Sequence, residues 1–349
     1  MCGADHDVLR TPAPLHRKRE QHMGLLVDGK WQDEWYDTKK SGGRFVRQDA
    51  GFRNWVTADG TPGLTGTGGF KAAAGRYHLY VSLACPWAHR TLIVRRLKNL
   101  EDKISLTIVD PLMLTEGWTI DGNFPGTSPD NVNGKTRVHE IYSLAKPDYT
   151  GRVTVPVLWD KQQATIVSNE SADIIRMMNS GFNAIDGVNA ALDLYPEELR
   201  DQINAINAAV YDHVNNGVYK SGFATTQAAY DEAVTALFEE LDALDAHLSK
   251  QRYLAGEQIT EADWRLFTTL IRFDAVYHGH FKCNLRRIAD YPNLSNYTRE
   301  LYQVAGVAET LNFDHIKHHY YASHRMINPS GIVPKGPLQD FSAPHDRGK

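Results

Sequence analysis

Hydrophobic positions recur along this chain first with a period of two and later with a helical period; neither period reaches the ends. Residues 1–22 mix charges with two prolines and predict a mobile leader. Residues 23–74 open on MGLLVDGKW and continue through turn-rich stretches (SGGRF, DGTPGLTGTGGF). They predict an irregular extension that wraps a later domain. From residue 76, RYHLYVS alternates and is rich in β-formers, which predicts a strand over 77–82. LACPW is a turn, and Leu92, Ile93, Leu97 and Leu100 give 88–100 a helical spacing. ISLTIVD predicts a second strand over 104–110, completing a βαβ unit. Residues 115–150 are read as a long insertion with turns. VTVPVLW predicts a third strand over 153–159, broken by Pro156. A short fourth strand is expected over 165–167, then a helix over 171–179.

Beyond residue 180 the strand signals fade. Alanine- and leucine-rich patterns predict helices over 196–220 and 226–250. The helix over 258–276 has a strong start, with Thr260 capping, Asp263 returning the bond, and Ile259 pairing with Trp264. Residues 293–305 and 308–322 also read as helical. Residues 326–349 are rich in proline and glycine and predict a surface tail. The fold class is therefore α/β plus all-α. An α/β domain over 75–185 precedes a helical domain over 195–325.

Composition narrows the function. The 349 residues suit about two domains of roughly 150 residues each. Lys and Arg number 38 against 42 Asp and Glu, a net charge of −4 that argues against nucleic-acid and membrane-surface partners. No apolar run approaches the length of a membrane span, and the N-terminus lacks the apolar core of a secretory signal. The cysteines, Cys2, Cys85 and Cys283, are too few and scattered for a disulfide framework, so a reducing cytoplasm is the simplest setting.

Cys85 carries the candidate chemistry. It lies between a strand and a helix, with Pro86 near the first helical position. Unpaired N–H groups and the positive helix end favour thiolate there, and His89 and Arg90 add positive charge, so its pKa is expected to fall. A buried structural cysteine is the plainer reading. CPWA lacks the second cysteine of a CxxC motif, so a mixed disulfide on Cys85 needs an external thiol, glutathione being the abundant one. Resolution by Cys283 is the weaker option. Pro156 is either an ordinary edge-strand proline or part of a cis Val155–Pro156 bond facing the cysteine, as in the thioredoxin fold. In SNES, Ser171 is a candidate helix cap. With Glu170 it could hold an α-amino-acid head, carboxylate on N–H and hydroxyl and ammonium on Glu170; simple capping is the alternative. His315 and His319 stand four apart on an expected helix, near His318 and His324. Without a carboxylate motif such as HExxH, packing is preferred to a metal, and no metal is expected.

The ordered series SLACPWAHRT, VTVPVLWD, SNES, NNGVYKSGFA, TEADWRLF and NFDHIKHHYYASH resembles the glutathionyl-hydroquinone reductases, the Xi-class glutathione-transferase-like proteins. The likeness runs from about residue 23 to the C-terminal tail. It implies a glutathione transferase-like fold, with a thioredoxin-like glutathione-binding domain followed by an all-helical one. It also implies a homodimer with an interface peculiar to this class. The implied reaction removes glutathione from S-glutathionyl-hydroquinones with a second glutathione, giving hydroquinone and glutathione disulfide. Glutathione is then a co-substrate, and no cofactor is permanently bound. Implied partners are glutathione, glutathionylated hydroquinones and a second copy of the chain, with no nucleic acid and no membrane. Residue by residue, Cys85 matches the nucleophile and Trp118 a tryptophan covering glutathione. Arg152 matches a tripeptide contact, Val155 (before Pro156) the backbone partner of the cysteinyl unit, and Glu170 and Ser171 the γ-glutamyl anchors. Tyr219 and Tyr320 match tyrosines near the thiol and the hydroquinone ring. Thiol transfer and dehydroascorbate reduction are plausible side activities. A binding module without catalysis and a thiol oxidoreductase acting on proteins are the competing readings.

Overall fold

The computed structural model describes residues 24–347. The expected leader over 1–22, and Cys2 within it, lie outside the described residues. Two short strands, β1 (Leu25–Val27) and β2 (Lys30–Gln32), open the fold as an antiparallel hairpin. Next come β3 (Tyr77–Val81), α1 (Pro86–Leu97) and β4 (Ser105–Ile108), a βαβ unit with β3 and β4 parallel. After α2 (Val138–Ala145) and β5 (Gly151–Arg152), the strands β6 (Val157–Asp160) and β7 (Thr165–Ser168) and the helix α3 (Ser171–Arg176) complete this part. The main sheet runs β4-β3-β6-β7, with β6 antiparallel to both neighbours. Every residue of β3 is buried, and Leu79 faces Leu106 on one side and Leu158 on the other. The arrangement is thioredoxin-like.

Two local expectations are corrected. The third strand does not begin at residue 153: residues 153–156 stay outside the ladder, and β6 starts at Val157 after a cis Val155–Pro156 bond. Proline has no N–H to give a ladder, so the strand forms only beyond it. The 115–150 stretch is not all turns. It contains α2, whose Glu140 carboxylate accepts from the backbone N–H of Arg137 at 2.9 Å. A small second sheet, β2-β1-β5, joins the beginning of the described chain to Gly151 and Arg152.

The helical part comprises α4 (Arg200–Ala209), α5 (Gly217–Gly222), α6 (Gln227–Leu248), α7 (Glu261–Arg272), α8 (Pro292–Tyr302) and α9 (Phe313–Lys317). Where one helix was expected over 196–220, a wide turn at Val210–Asn215 separates α4 from α5. Similar wide turns extend α7 through Tyr277 and α9 through Ser323. Such turns shift the register of side chains on a helix face. The expected Thr260–Asp263 capping box forms, and every residue of α7 is buried. Asp263 is fully buried and accepts from Thr260 N (2.7 Å), Thr260 Oγ1 (3.0 Å), Leu254 N (2.9 Å) and Tyr297 Oη (2.7 Å). No helix among the described residues is long and apolar enough to cross a membrane.

The glycine-rich segment before β3 straps the two parts together. Thr225 N donates to Gly43 O (3.0 Å), and Asn54 N donates to Val167 O (2.9 Å) beside β7. Gly43 has φ +90°, and a Cβ there would lie 2.4 Å from Thr226 Oγ1, so this crossing admits only glycine. The C-terminal segment is anchored too: Phe341 stacks on Phe313 at 5.9 Å, and Arg347 Nε reaches Glu300 Oε2 at 2.9 Å.

Asp263→Ala leaves two backbone N–H groups and a tyrosine hydroxyl buried without their acceptor. It should cost about 3 kcal/mol. A urea-unfolding midpoint close to wild type would refute this.

Candidate active site

Cys85 takes the position before α1, with extended backbone angles, and its carbonyl accepts from His89 N at 3.0 Å. Its Sγ lies 3.4 Å from Val155 O, so the cis-proline loop faces the thiol. The turn is held from the other domain. Arg272, fully buried on α7, donates to Ala84 O (2.9 Å) and Leu83 O (3.0 Å), the two carbonyls just ahead of Cys85.

Electrostatics correct the expectation of a low pKa. Burial pushes the Cys85 thiol above its ordinary value, outweighing the N–H groups of Ala88 and Trp87 and the charges of Arg272 and Arg47. His89 supplies no charge. It is buried, its pKa falls well below normal, and it bonds Arg272 (2.9 Å) and Thr310 Oγ1 (2.8 Å). Arg90 is turned away, toward Asn215 Oδ1 (2.7 Å) and Ser171 Oγ (3.4 Å).

Two clefts meet beside Cys85 and share Tyr36, Arg47, Trp87, Thr154 and Val155 as a common wall. The first is lined by Arg152, Pro156, Asn169, Glu170 and Ser171. The second contains Cys85 with Trp118, Tyr219, Tyr320, His319 and His324. All nine residues singled out from the sequence thus line one cleft or the other. Trp118 falls in the cleft with the thiol, stacked on His319 at 4.7 Å. Arg152 lies over the Tyr36 ring at 4.1 Å. Tyr219 Oη and Tyr320 Oη are 2.6 Å apart. The helix cap is Glu170 rather than Ser171: its carboxylate accepts from Ala172 N at 2.9 Å, and Ser171 becomes the first helical residue. The longer glutamate side chain reaches forward over the turn and also accepts from the serine hydroxyl (3.4 Å), whose oxygen in turn accepts from Arg90.

A larger cleft of about 540 Å³ adjoins this wall between residues 44–49 and α5–α6. It holds no thiol, and two of its ion pairs are internal, Arg44 with Glu232 and Lys220 with Asp212, both at 2.6 Å.

The chain is similar to known proteins over more than nine-tenths of its length. Residues 84–180 match the glutathione S-transferase N-terminal domain, and residues 227–300 match the C-terminal domain. The chain is 59% identical to glutathionyl-hydroquinone reductase YqjG of Escherichia coli K12, over 93% of this chain and 98% of that protein. It is 53% identical to glutathionyl-hydroquinone reductase PcpF of Sphingobium chlorophenolicum, over 91% of this chain and 97% of that one. A Xi-class glutathione transferase structure from Natrialba magadii superposes with a TM-score of 0.85 at 47% identity, covering 94% and 98% of the two chains. The glutathione-bound structure of YqjG also gives 0.85, covering 93% and 99%. This chain belongs to the glutathionyl-hydroquinone reductase family of Xi-class glutathione transferases.

For this Xi-class chain, sequence reasoning missed three residues. Tyr277, fully buried, places its Oη 3.0 Å from Tyr320 Oη and joins the tyrosine cluster. Arg272 gave no local signal, because its partners lie near residue 84. Arg47 sits in the turn-rich strap, where no period marks it. Its guanidinium covers the rings of Trp87 (4.8 Å) and Tyr219 (5.0 Å), and its Nε donates to Asn216 Oδ1 at 2.8 Å. Arg90 also lies over the Trp87 ring, at 4.5 Å. The histidines raised as a metal pair are spent elsewhere: His315 Nε2 meets Pro125 O (2.7 Å) and His319 Nδ1 meets Pro111 O (2.9 Å). Among the described residues no three of His, Cys, Asp and Glu are grouped to hold a metal ion.

Because burial raises the Cys85 pKa and only the thiolate reacts, alkylation of the glutathione-free protein by iodoacetamide should keep accelerating above pH 9. Arg47→Met removes a facing cation and should slow alkylation at neutral pH by roughly threefold to tenfold. A rate that levels off below pH 8 in wild type would contradict this reading.

Proposed function

We propose that this chain removes glutathione from S-glutathionyl-hydroquinones, with Cys85 as nucleophile and a second glutathione as reductant. The observation that carries the reading is the shared chamber of Cys85 and the hydrogen-bonded pair Tyr219–Tyr320. A thiol enclosed by phenol donors suits a sulfur attached to an oxygenated aromatic ring. Burial raises the pKa of both tyrosines, so they stay protonated and act as donors.

The cycle follows from the chemistry of the C–S bond. An aromatic carbon is a poor leaving group. Once the hydroquinone adopts its keto tautomer, breaking C–S restores the aromatic ring. The Cys85 thiolate attacks the glutathione sulfur, the C–S electron pair returns to the ring, and hydroquinone leaves. Tyr219 and Tyr320 hydrogen-bond the ring oxygen as its charge changes. A second glutathione thiolate then attacks the glutathione sulfur of the mixed disulfide, releasing glutathione disulfide and the Cys85 thiolate. Cys283 is a poor alternative resolving thiol: it is buried, and its pKa is pushed up to about 12.

Glutathione is assigned to the first cleft, with its γ-glutamyl head on Glu170 and Ser171 and its chain passing Arg152. Its cysteinyl unit pairs with the backbone of Val155 ahead of Pro156, and Trp118 covers the sulfur end. Thiol transfer and dehydroascorbate reduction are assigned as side activities, and a cytoplasmic homodimer as the working form. A protein-directed thiol oxidoreductase fits less well, because aromatic rings enclose Cys85.

Cys85→Ser should abolish hydroquinone release, and a glutathione adduct of about 305 Da should appear on wild type only, with ping-pong kinetics. Retention of most of the rate by Cys85→Ser would overturn the mechanism. Tyr219→Phe or Tyr320→Phe should lower kcat about tenfold or more while leaving capture of glutathione on Cys85 intact, seen by intact mass. Glu170→Gln should instead raise KM for glutathione with little change in kcat, because it removes a contact made before and during the reaction alike.

A further inference from the structure

The chamber holds a second polar element, on the side chains of His280 and His324. His324 lines the cleft with Cys85 and is 1% exposed. Its Nδ1 lies 3.2 Å from Nε2 of His280, itself 5% exposed. Its other nitrogen, Nε2, is buried and has no hydrogen-bond partner among the described residues. The ring is locked in place, stacked on Phe281 at 5.8 Å and met edge-on by Tyr320 at 5.5 Å and Phe223 at 5.2 Å. A buried, unpartnered ring nitrogen costs free energy that a ligand atom would recover.

We propose that His324 is a further substrate-holding residue, its Nε2 taking a ring oxygen of the hydroquinone unit distinct from the one served by the tyrosines. This rests on the reading of the chamber as the hydroquinone site. Burial keeps both histidines neutral, so their shared bond has two arrangements. If His324 Nδ1–H donates to His280, Nε2 is bare and accepts from a ring hydroxyl. If His280 Nε2–H donates to His324, Nε2 carries the proton and donates to a ring carbonyl. One nitrogen thus matches the hydroxyl of the hydroquinone or the carbonyl of its keto form. His319 lacks this freedom: with Nδ1–H given to Pro111 O, its Nε2 only accepts. The site therefore selects glutathionylated aromatics with two ring oxygens.

The test compares wild type, His324→Phe and His324→Gln on a glutathionyl-hydroquinone and on the glutathionyl-phenol lacking one ring oxygen. Glutathionylation of Cys85 by glutathione disulfide serves as a reaction without a ring. His324→Phe should lower kcat/KM for the hydroquinone about tenfold and for the phenol by twofold or less, with Cys85 glutathionylation unchanged. His324→Gln, whose amide both donates and accepts, should recover most of the loss. Equal losses on both aromatic substrates, or no loss on either, would overturn the proposal. If wild type glutathionylates Cys85 yet releases no hydroquinone, the functional reading itself fails and the assignment of His324 fails with it.

Discussion

The site depends on one buried arginine. Arg272 gives its donors to Leu83 O, Ala84 O, Thr268 O and His89 Nδ1, all within 3.0 Å, and has no carboxylate partner among the described residues. Burying a guanidinium is expensive unless its donors are used. Carbonyl oxygens meet that need without cancelling the charge, so positive potential remains beside the turn that carries Cys85. The same bonds join α7 of the helical domain to the turn between β3 and α1. The thiol is thus positioned by contacts made across the domain junction.

The strap before β3 extends this dependence. It bonds the helical part at Gly43 and lies beside β7 at Asn54, and between those points it lays Arg47 against Trp87 and Tyr219. The wall shared by the two clefts therefore comes from residues 36, 47, 87, 154 and 155. The tyrosine cluster likewise combines α5 with the wide turns after α7 and α9. No single element carries the chemistry. Each supplies one or two side chains to a junction that exists only once both domains are docked.

Where local rules govern, sequence reading succeeded. Cys85 before a proline-led helix, the Val155–Pro156 corner and the Thr260–Asp263 box depend on neighbours a few residues away. It failed where a competing term came from elsewhere. A helix start lowers a thiol's pKa, but desolvation by distant side chains reverses the sign for Cys85. His89 is neutral because burial and Arg272 oppose its charge. Ser171 yielded the cap to Glu170, a choice between adjacent residues that propensity alone leaves open.

The sequence by itself determined the α/β-then-helical order, the place of Cys85 at a strand–helix turn and, through resemblance, the family and the nine residues that line the clefts. Periodicity, turn chemistry and motif spacing are properties of neighbouring residues and survive in one dimension. Only the tertiary structure decided that Arg47 and His324 line the cleft with the thiol, that Arg272 holds its turn and that Tyr277 joins the tyrosine pair. Their roles come from burial and from contacts between segments up to about two hundred residues apart, which leave no local period to read.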